Sequence, residues 1–540
     1  MTKKNLYWLW NASQGIRSRI VINSIAGICR VCMSLLFVWA CKKLIDVATH
    51  NSDGVLWHYS ILLIVTAFFG ILLMLWSNRL EQQNNITLKN KLRHRLFSQL
   101  MLSRCTSKEH YHSGDAVNRL EEDVRITVDT FCSSFPSLLV TGFQLIAAFL
   151  FLAQLDIRLA FILIFIMPVF LLTSKLYMKR IHKLTKGIRT TDSKIQSHIQ
   201  ENLQYKTLIQ AFEQSPLIIG KLGILQSKLY WQVMNRINFT LFSKTIVMAG
   251  FATGYIIAFL WGVNGIYEGV VSFGMMTAFL QLVGQIQRPV VELSRHIPAF
   301  AQAITSVERL IEVDEQPTNQ MEESIFLEEK TGIKLENVSF AYSKGNQQVI
   351  SNFSYDFAPE SCTAILGETG VGKSTLVQLM LSLLYPQAGT IYIYNKNRKI
   401  KVGSSTLCNM VYVPQGNTLL SGTIRENLLL GNPNAASEQL YEALHTAAAE
   451  FVYNLPNGLD TFCGEKGAGL SEGQAQRICI ARGLLRPGKI LLLDEFSSAL
   501  DKDTEHLLIE RLISQTSGKT LIFITHREEL TKFCEQIIRL

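Results

Sequence analysis

Six stretches of this chain are apolar over about twenty residues each, the length an α-helix needs to cross a bilayer. They run Ile20–Cys41, Leu56–Trp76, Ser134–Leu155, Leu159–Tyr177, Phe239–Trp261 and Val271–Val290. Inside hydrocarbon, backbone N–H and C=O groups must pair within the protein, so such stretches are restricted to helices. The composition agrees. Of 540 residues, 48% are hydrophobic and the mean hydropathy is +0.19, more apolar than a soluble chain of this length. All six stretches precede residue 291, and the remainder contains no further span.

The formal net charge is +9, and its distribution carries the information. Arg79, Lys89, Lys91, Arg93, Arg95 and Arg104 follow the second stretch, and Lys179, Arg180, Lys183, Lys186 and Arg189 follow the fourth. The short connections His50–Trp57 and Asn264–Val270 have no Lys or Arg. Basic loops stay inside, which predicts a multi-pass protein of a plasma (inner) membrane with both termini cytoplasmic. Lys42 and Lys43 run against that count. No basic-aromatic module is present, so no nucleic-acid partner is expected. Ten cysteines are scattered. Cys29 and Cys32 form a C-x-x-C inside the first stretch, read as two small apolar residues on a helix rather than a redox or metal pair. No cleavable leader pattern follows Lys3 and Lys4.

The two long basic segments are helical by pattern. Leu88, Leu92, Leu96 and Leu100 recur every four residues, and Ile188, Ile195 and Ile199 repeat similarly. The membrane helices are thus predicted to continue into the cytoplasm and to turn near Ser113-Gly114-Asp115 and near Tyr205-Lys206. The expected division is a membrane domain over 1–318, a linker over 319–331 within a polar stretch carrying Pro317, and an α/β nucleotide-binding domain over 332–540.

That last domain opens its chemistry at Gly367-Glu-Thr-Gly370-Val-Gly372-Lys373-Ser374-Thr375. The spacing G-x-x-x-x-G-K-[ST] is that of a phosphate-binding loop. Its glycines let the backbone approach phosphate oxygens, and the following helix start offers unpaired N–H groups. Lys373 can reach the β- and γ-phosphates and Ser374 can offer its hydroxyl to Mg²⁺. Ser361–Leu366 reads as the buried strand before the loop, and Ser374–Leu384 as the helix after it. Ile490–Leu493 reads as a second buried strand, ending in Asp494 and Glu495. Asp494 is placed to hold Mg²⁺ and Glu495 to polarise an attacking water. ATP and Mg²⁺ are the expected ligands.

Leu470-Ser471-Glu472-Gly473-Gln474 follows the loop in sequence, and Thr525-His526 follows the acidic pair. With these in order, the chain resembles the ATP-binding cassette (ABC) family, and six spans before the cassette resemble its exporter half-transporters. The resemblance implies the remaining roles. Tyr342 stacks on adenine. Gln415, in Val413-Pro-Gln415, contacts Mg²⁺ and the membrane domain. Ser471, Gly473 and Gln474 belong to the signature that completes the site of a partner cassette. Ser498-Ala-Leu-Asp501 communicates between sites, and His526 meets the γ-phosphate. Thr461–Gly467 resembles a loop that touches the coupling helices. His112–Arg119 and Glu201–Lys206 resemble the coupling segments, and Gln287–Pro289 through Ser306–Arg309 the exit of the sixth span.

The implied activity is ATP-driven export of a lipid, peptide or amphipathic small molecule by a dimer of half-transporters, homomeric or heteromeric. The same features fit an exporter-fold importer of a metal chelate, or a weakly hydrolytic regulatory partner subunit. Glu472 departs from the usual signature glycine, and Lys466 or Arg477 could neutralise it. Inside the spans, Arg30, Gln144, Gln281 and Gln285 are polar. Such residues face a cavity, pack between helices, or, for Arg30, snorkel from near the cytoplasmic interface.

Overall fold

The computed structural model describes residues 3–103, 113–318, 323–342, 348–368, 370–464, 467 and 469–540. Two compact units result. One holds Met1–Phe97 with Ala116–Asp314, and the other Ser98–Asp115 with Glu315–Leu540.

Among the described residues ten α-helices come first: α1 (Lys3–Ala12), α2 (Arg17–Ala48), α3 (Leu56–Leu102), α4 (Ser113–Asn118), α5 (Val124–Asp129), α6 (Phe135–Leu155), α7 (Ile157–Gln204), α8 (Lys206–Ala211), α9 (Ser215–Tyr267) and α10 (Phe273–Asp314). Wide π-helical turns at Arg119–Asp123 and Thr130–Ser134 join α4, α5 and α6 into one helical run. Among the described residues, α2, α3, the run Gly114–Leu155 and α9 are long and apolar enough to cross a membrane. The expected stretches in α7 and α10 also lie within long helices, α10 starting at Phe273 rather than Val271. Ser113-Gly114-Asp115 does not form the expected turn. It opens α4, where Asp115 in the first turn suits the positive helix end. The chain does turn at Tyr205, between α7 and α8. His112 and Arg104 lie outside the described residues.

Packing follows the sequence pattern where the pattern is strict. Leu88, Leu92 and Leu96 are all buried on one face of α3. The isoleucine repeat in α7 is weaker, since Ile195 is buried while Ile199 is exposed. On α9 the buried positions are Gly250, Gly254, Ala258 and Gly262, a small residue every fourth position. A Cβ on Gly254 would meet Gln287 Nε2 at 2.2 Å, and one on Gly262 would meet Met276 Cγ at 2.8 Å. Small residues thus let α9 and α10 approach closely, as membrane helices require.

Polar latches hold the ends. Asp156 caps α7 by accepting from Arg158 N at 2.9 Å and Leu159 N at 3.1 Å, and also takes the Trp261 indole at 2.7 Å. Asp314, closing α10, accepts from Trp8 on α1 at 2.7 Å and from Nε and Nη2 of Arg95 on α3 at 2.8 and 2.7 Å. Arg119 donates to the Arg309 carbonyl at 2.8 Å and pairs with Glu312, while Asp123 accepts from Ser306 at 2.8 Å. Two segments singled out in the sequence, around Arg119 and around Ser306–Arg309, are therefore one packed site.

The second unit contains β1 (Gly332–Phe340), β2 (Ile350–Phe357), β3 (Cys362–Leu366), α11 (Lys373–Met380), β4 (Ala388–Tyr394), β5 (Lys399–Lys401), β6 (Met410–Val413), β7 (Gly422–Thr423), α12 (Ile424–Leu429), α13 (Ser437–Thr446), β8 (Phe462–Cys463), α14 (Glu472–Leu484), β9 (Ile490–Asp494), α15 (Lys502–Gln515), β10 (Thr520–Thr525) and β11 (Gln536–Arg539). One sheet has the order β11-β3-β10-β9-β6, with every pairing parallel. A second, antiparallel sheet has the order β2-β1-β4-β5. Within the parallel sheet, β3, β9 and β10 are buried on both faces. Leu491, Leu493, Leu521 and Phe523 point into a core with α12–α15, while Ile490, Leu492, Ile522 and Ile524 point into a core with α11 and β1. That alternation explains the unbroken aliphatic runs. The α11 helix ends at Met380, four residues short of the expected Leu384, because Ser382 takes a left-handed backbone, φ +54°.

Candidate nucleotide and catalytic site

Four of the cassette's motifs sit at the carboxyl ends of parallel strands. The glycine loop follows β3, Gln415 follows β6, Asp494 and Glu495 end β9, and His526 follows β10. Open α/β sheets bind ligands at this edge. The register is set by β10, which pairs with β3 on one side and β9 on the other, so the loop and the acidic pair flank His526.

The loop is built for close backbone approach. Gly370 and Gly372 have φ of +95° and +110°, and a Cβ on Gly372 would lie 3.0–3.1 Å from Val349 and Ile350. Both conditions favour glycine. Lys373 is buried at the start of α11, its ammonium donating to the carbonyls of Gly367 and Glu368, the latter at 3.2 Å. A phosphate would compete with those carbonyls for the ammonium. Ser374 is exposed on the first turn of α11. Thr375 is buried, and its hydroxyl meets the Tyr342 hydroxyl at 3.1 Å. Tyr342 also packs edge-on to Phe340 at 5.1 Å. It is thus anchored beside the loop.

Asp494 is buried and accepts from the Tyr412 hydroxyl at 3.4 Å. Burial, and then the neighbouring Glu495 carboxylate, push its carboxyl above the usual range, while Tyr412 and Lys373 oppose the shift. A divalent cation would relieve that strain. Ser374, Gln415 and Asp494 supply hydroxyl, amide and carboxylate oxygens, a donor set that suits Mg²⁺ when phosphates complete it. Among the described residues no group of three His, Cys, Asp or Glu forms a metal cluster.

Glu495 is the centre of the arrangement. Its backbone is left-handed, φ +44°, a strained state for a side-chain-bearing residue. Its N–H donates to Ile524 O at 2.9 Å, tying it to β10. Its carboxylate accepts from the Gln415 amide and lies 3.5 Å from His526 Nδ1. Three residues distant in sequence converge there.

One residue that the motif reading passed over holds this geometry. Gln476, buried on α14, donates to Glu495 O at 3.1 Å and to Ser498 Oγ at 3.4 Å, and accepts from Ala499 N at 3.2 Å. It braces the backbone from Glu495 to Ala499. The sequence signal was a polar side chain on the apolar face of a helix.

The signature is the start of α14. Ser471 is its N-cap, accepting from Gln474 N at 3.2 Å, while Gln474 Oε1 accepts from Ser471 N at 3.0 Å. Gly473 faces the Ser498–Asp501 loop, where a Cβ would stand 2.8 Å from Ala499 O. Gly473→Ala is expected to cost about 1–3 kcal/mol of overpacking and to lower ATPase activity at least several-fold, read by thermal unfolding and turnover of the purified chain. Glu472, by contrast, is exposed in the first turn. The expected partner Arg477 is engaged elsewhere. It donates to Ala448 O at 2.6 Å and stacks on Phe451 at 4.8 Å, and burial lowers its pKa. Lys466 and Glu465 lie outside the described residues. The helix end itself favours the Glu472 charge. Glu472→Gly is therefore expected to keep turnover within a few-fold while losing about 0.5–1 kcal/mol of local helix stability. Turnover against ATP concentration, with hydrogen exchange at α14, checks both.

Comparisons with known proteins agree with this architecture. The family model for the ABC transporter transmembrane region matches residues 20–290, and the ABC transporter model matches residues 350–498. An uncharacterised ABC transporter ATP-binding protein of Bacillus subtilis, YknU, is 28% identical over 454 residues, 83% of this chain and 77% of that protein. A Rickettsia prowazekii protein named as an export ATP-binding/permease protein is 31% identical over 461 residues, 82% and 78% respectively. The solved structure of a bacterial Atm1-family ABC exporter with ATP bound shares the fold, with a TM-score of 0.80 at 21% identity over 97% of this chain and 94% of that one. A membrane region of long helices and an ATP-hydrolysing cassette thus occur in one polypeptide, and the chain belongs to the ABC transporter family.

Proposed function

We propose that this chain is one half of an ATP-driven exporter, with both termini cytoplasmic in a plasma (inner) membrane. Two such chains, identical or related, would each supply Gly367–Thr375 to one ATP and Ser471, Gly473 and Gln474 to the partner's. The observation that carries this reading is the convergence of Gln415 and His526 on the strained Glu495, at the strand edge that also holds the glycine loop.

The chemistry follows from the side chains. Backbone N–H groups of the loop and the start of α11 bind phosphate oxygens. Lys373 gives up the Gly367 and Glu368 carbonyls for the β- and γ-phosphates. Tyr342, held by Thr375, offers its ring to the adenine. Mg²⁺, when bound, neutralises charge on the phosphates. Ser374, Asp494 and Gln415 would hold it. Glu495 orients the attacking water, with Gln415 fixing one carboxylate oxygen and His526 beside the other. Closure of two cassettes on ATP is favoured because only the closed pair completes both sites, and this differential affinity drives the membrane helices.

The test is nucleotide binding and turnover by the purified chain. Lys373→Ala is expected to weaken ATP binding by at least tenfold, since it removes the one cation of the loop. Labelling with a photoreactive ATP analogue reads affinity directly. Unchanged labelling would remove Lys373 from the site.

A further inference from the structure

Two helices of the membrane region share a polar face that the nucleotide site does not use. Arg30 lies midway along the apolar stretch Ile20–Cys41 of α2. At about 1.5 Å per residue it is roughly 15 Å from either end, half the thickness of a bilayer core. Arg30 is nonetheless partly exposed, and among the described residues its guanidinium has no ion pair or hydrogen bond.

One turn outward on the same face, Ser34 accepts from Gln285 Nε2 of α10 at 2.9 Å. That bond fixes the register of the two helices against each other. On α10, Gln281 and Arg288 flank Gln285 at four and three residues, so they share its face. Arg288 is exposed and likewise has no partner among the described residues. Along α10, Glu292, one turn further in, is the first carboxylate. A face with two arginines, a serine and two amides is too costly to turn towards lipid, so it belongs to a water-filled cavity. Such a wall offers donors, and its charge is positive.

Resting on the exporter reading above, we infer that Arg30, with Ser34, Gln285 and Arg288, is the contact for cargo, and that the cargo is an amphipathic molecule bearing an anionic group. Arginine recognises sulfate, phosphate and carboxylate through paired N–H donors. The apolar surfaces of the same helices take the rest of the molecule.

The experiment uses the full chain in nanodiscs of neutral phosphatidylcholine. Three probes share one alkyl chain: decyl sulfate, decyltrimethylammonium and decyl maltoside, all below micellar concentration. Both ATPase stimulation and equilibrium binding by calorimetry are measured. Decyl sulfate is expected to bind and stimulate at the lowest concentration. Arg30→Gln should raise its half-maximal concentration by about tenfold, the loss of one charge-assisted contact. Arg30→Lys should keep the preference, and Arg30→Glu should shift it to decyltrimethylammonium. Lys43→Gln, at the outer end of α2, should change nothing. If Arg30→Gln does not assemble, the wild-type probe series and Arg30→Lys decide. Equal response to the cationic and anionic probes, or indifference to Arg30→Gln, overturns the inference. Absent basal hydrolysis would instead count against the exporter reading, and calorimetry would still report on Arg30.

Discussion

Glu495→Gln is expected to lower ATP turnover by about two to four orders of magnitude and leave ATP affinity within a few-fold. The substitution preserves size and keeps a partner for Gln415. It removes the charge that orients water and that faces His526. The backbone at Glu495 is held by Ile524 and Gln476, so the neutral side chain should occupy the same place. Steady-state hydrolysis, measured beside photoaffinity labelling, separates the two effects. Turnover at the parent rate would assign the chemistry to another group. Equal loss of binding and turnover would mean that Glu495 shapes the pocket rather than the reaction.

Mixing two dead variants should restore activity. Lys373→Ala disables the loop of its own chain, and Ser471→Asp brings a carboxylate towards the partner's γ-phosphate. Aspartate is a good N-cap, so α14 should keep the cap that Ser471 provides. In a mixed two-fold pair one site carries both defects and the other carries neither. If sites act independently, an equimolar mixture should recover roughly a quarter of wild-type hydrolysis, since half the pairs are mixed and each has one good site. ATPase activity of the mixture against each variant alone is the measurement. High activity in either single variant would defeat a site shared between chains. No recovery would defeat independent sites.

Much of this was legible in the residues, for reasons that differ by element. The glycine loop was readable because φ values near +100° at Gly370 and Gly372 admit few other residues. The strand β9 was readable because burial on both faces demands an unbroken aliphatic run. Leu88, Leu92 and Leu96 announced a buried stripe, whereas Ile188, Ile195 and Ile199 promised more burial than α7 delivers. Local signals failed where tertiary contacts decide. Ser113–Asp115 has turn residues, yet Asp115 serves equally well at a helix start. Arg477 was the nearest cation to Glu472 in sequence, but the Ala448 carbonyl and the Phe451 ring claim it. Gln476 could not be assigned its bracing role from spacing, because its three partners lie nineteen to twenty-three residues away on another element.

The order of the parallel sheet has a consequence for how the polypeptide matures. Among the described residues, the strand that carries the glycine loop, β3, is flanked by β10 and β11. Its partners therefore emerge from the ribosome more than 150 residues after it. Until then Cys362–Leu366, apolar but for Thr363, has both ladders open, a ready template for pairing with another nascent chain. Parallel pairing across such a separation is slow, because a long loop must close before any contact rewards it. A chain interrupted before Thr520 would combine inserted membrane helices with an adhesive, unpaired strand.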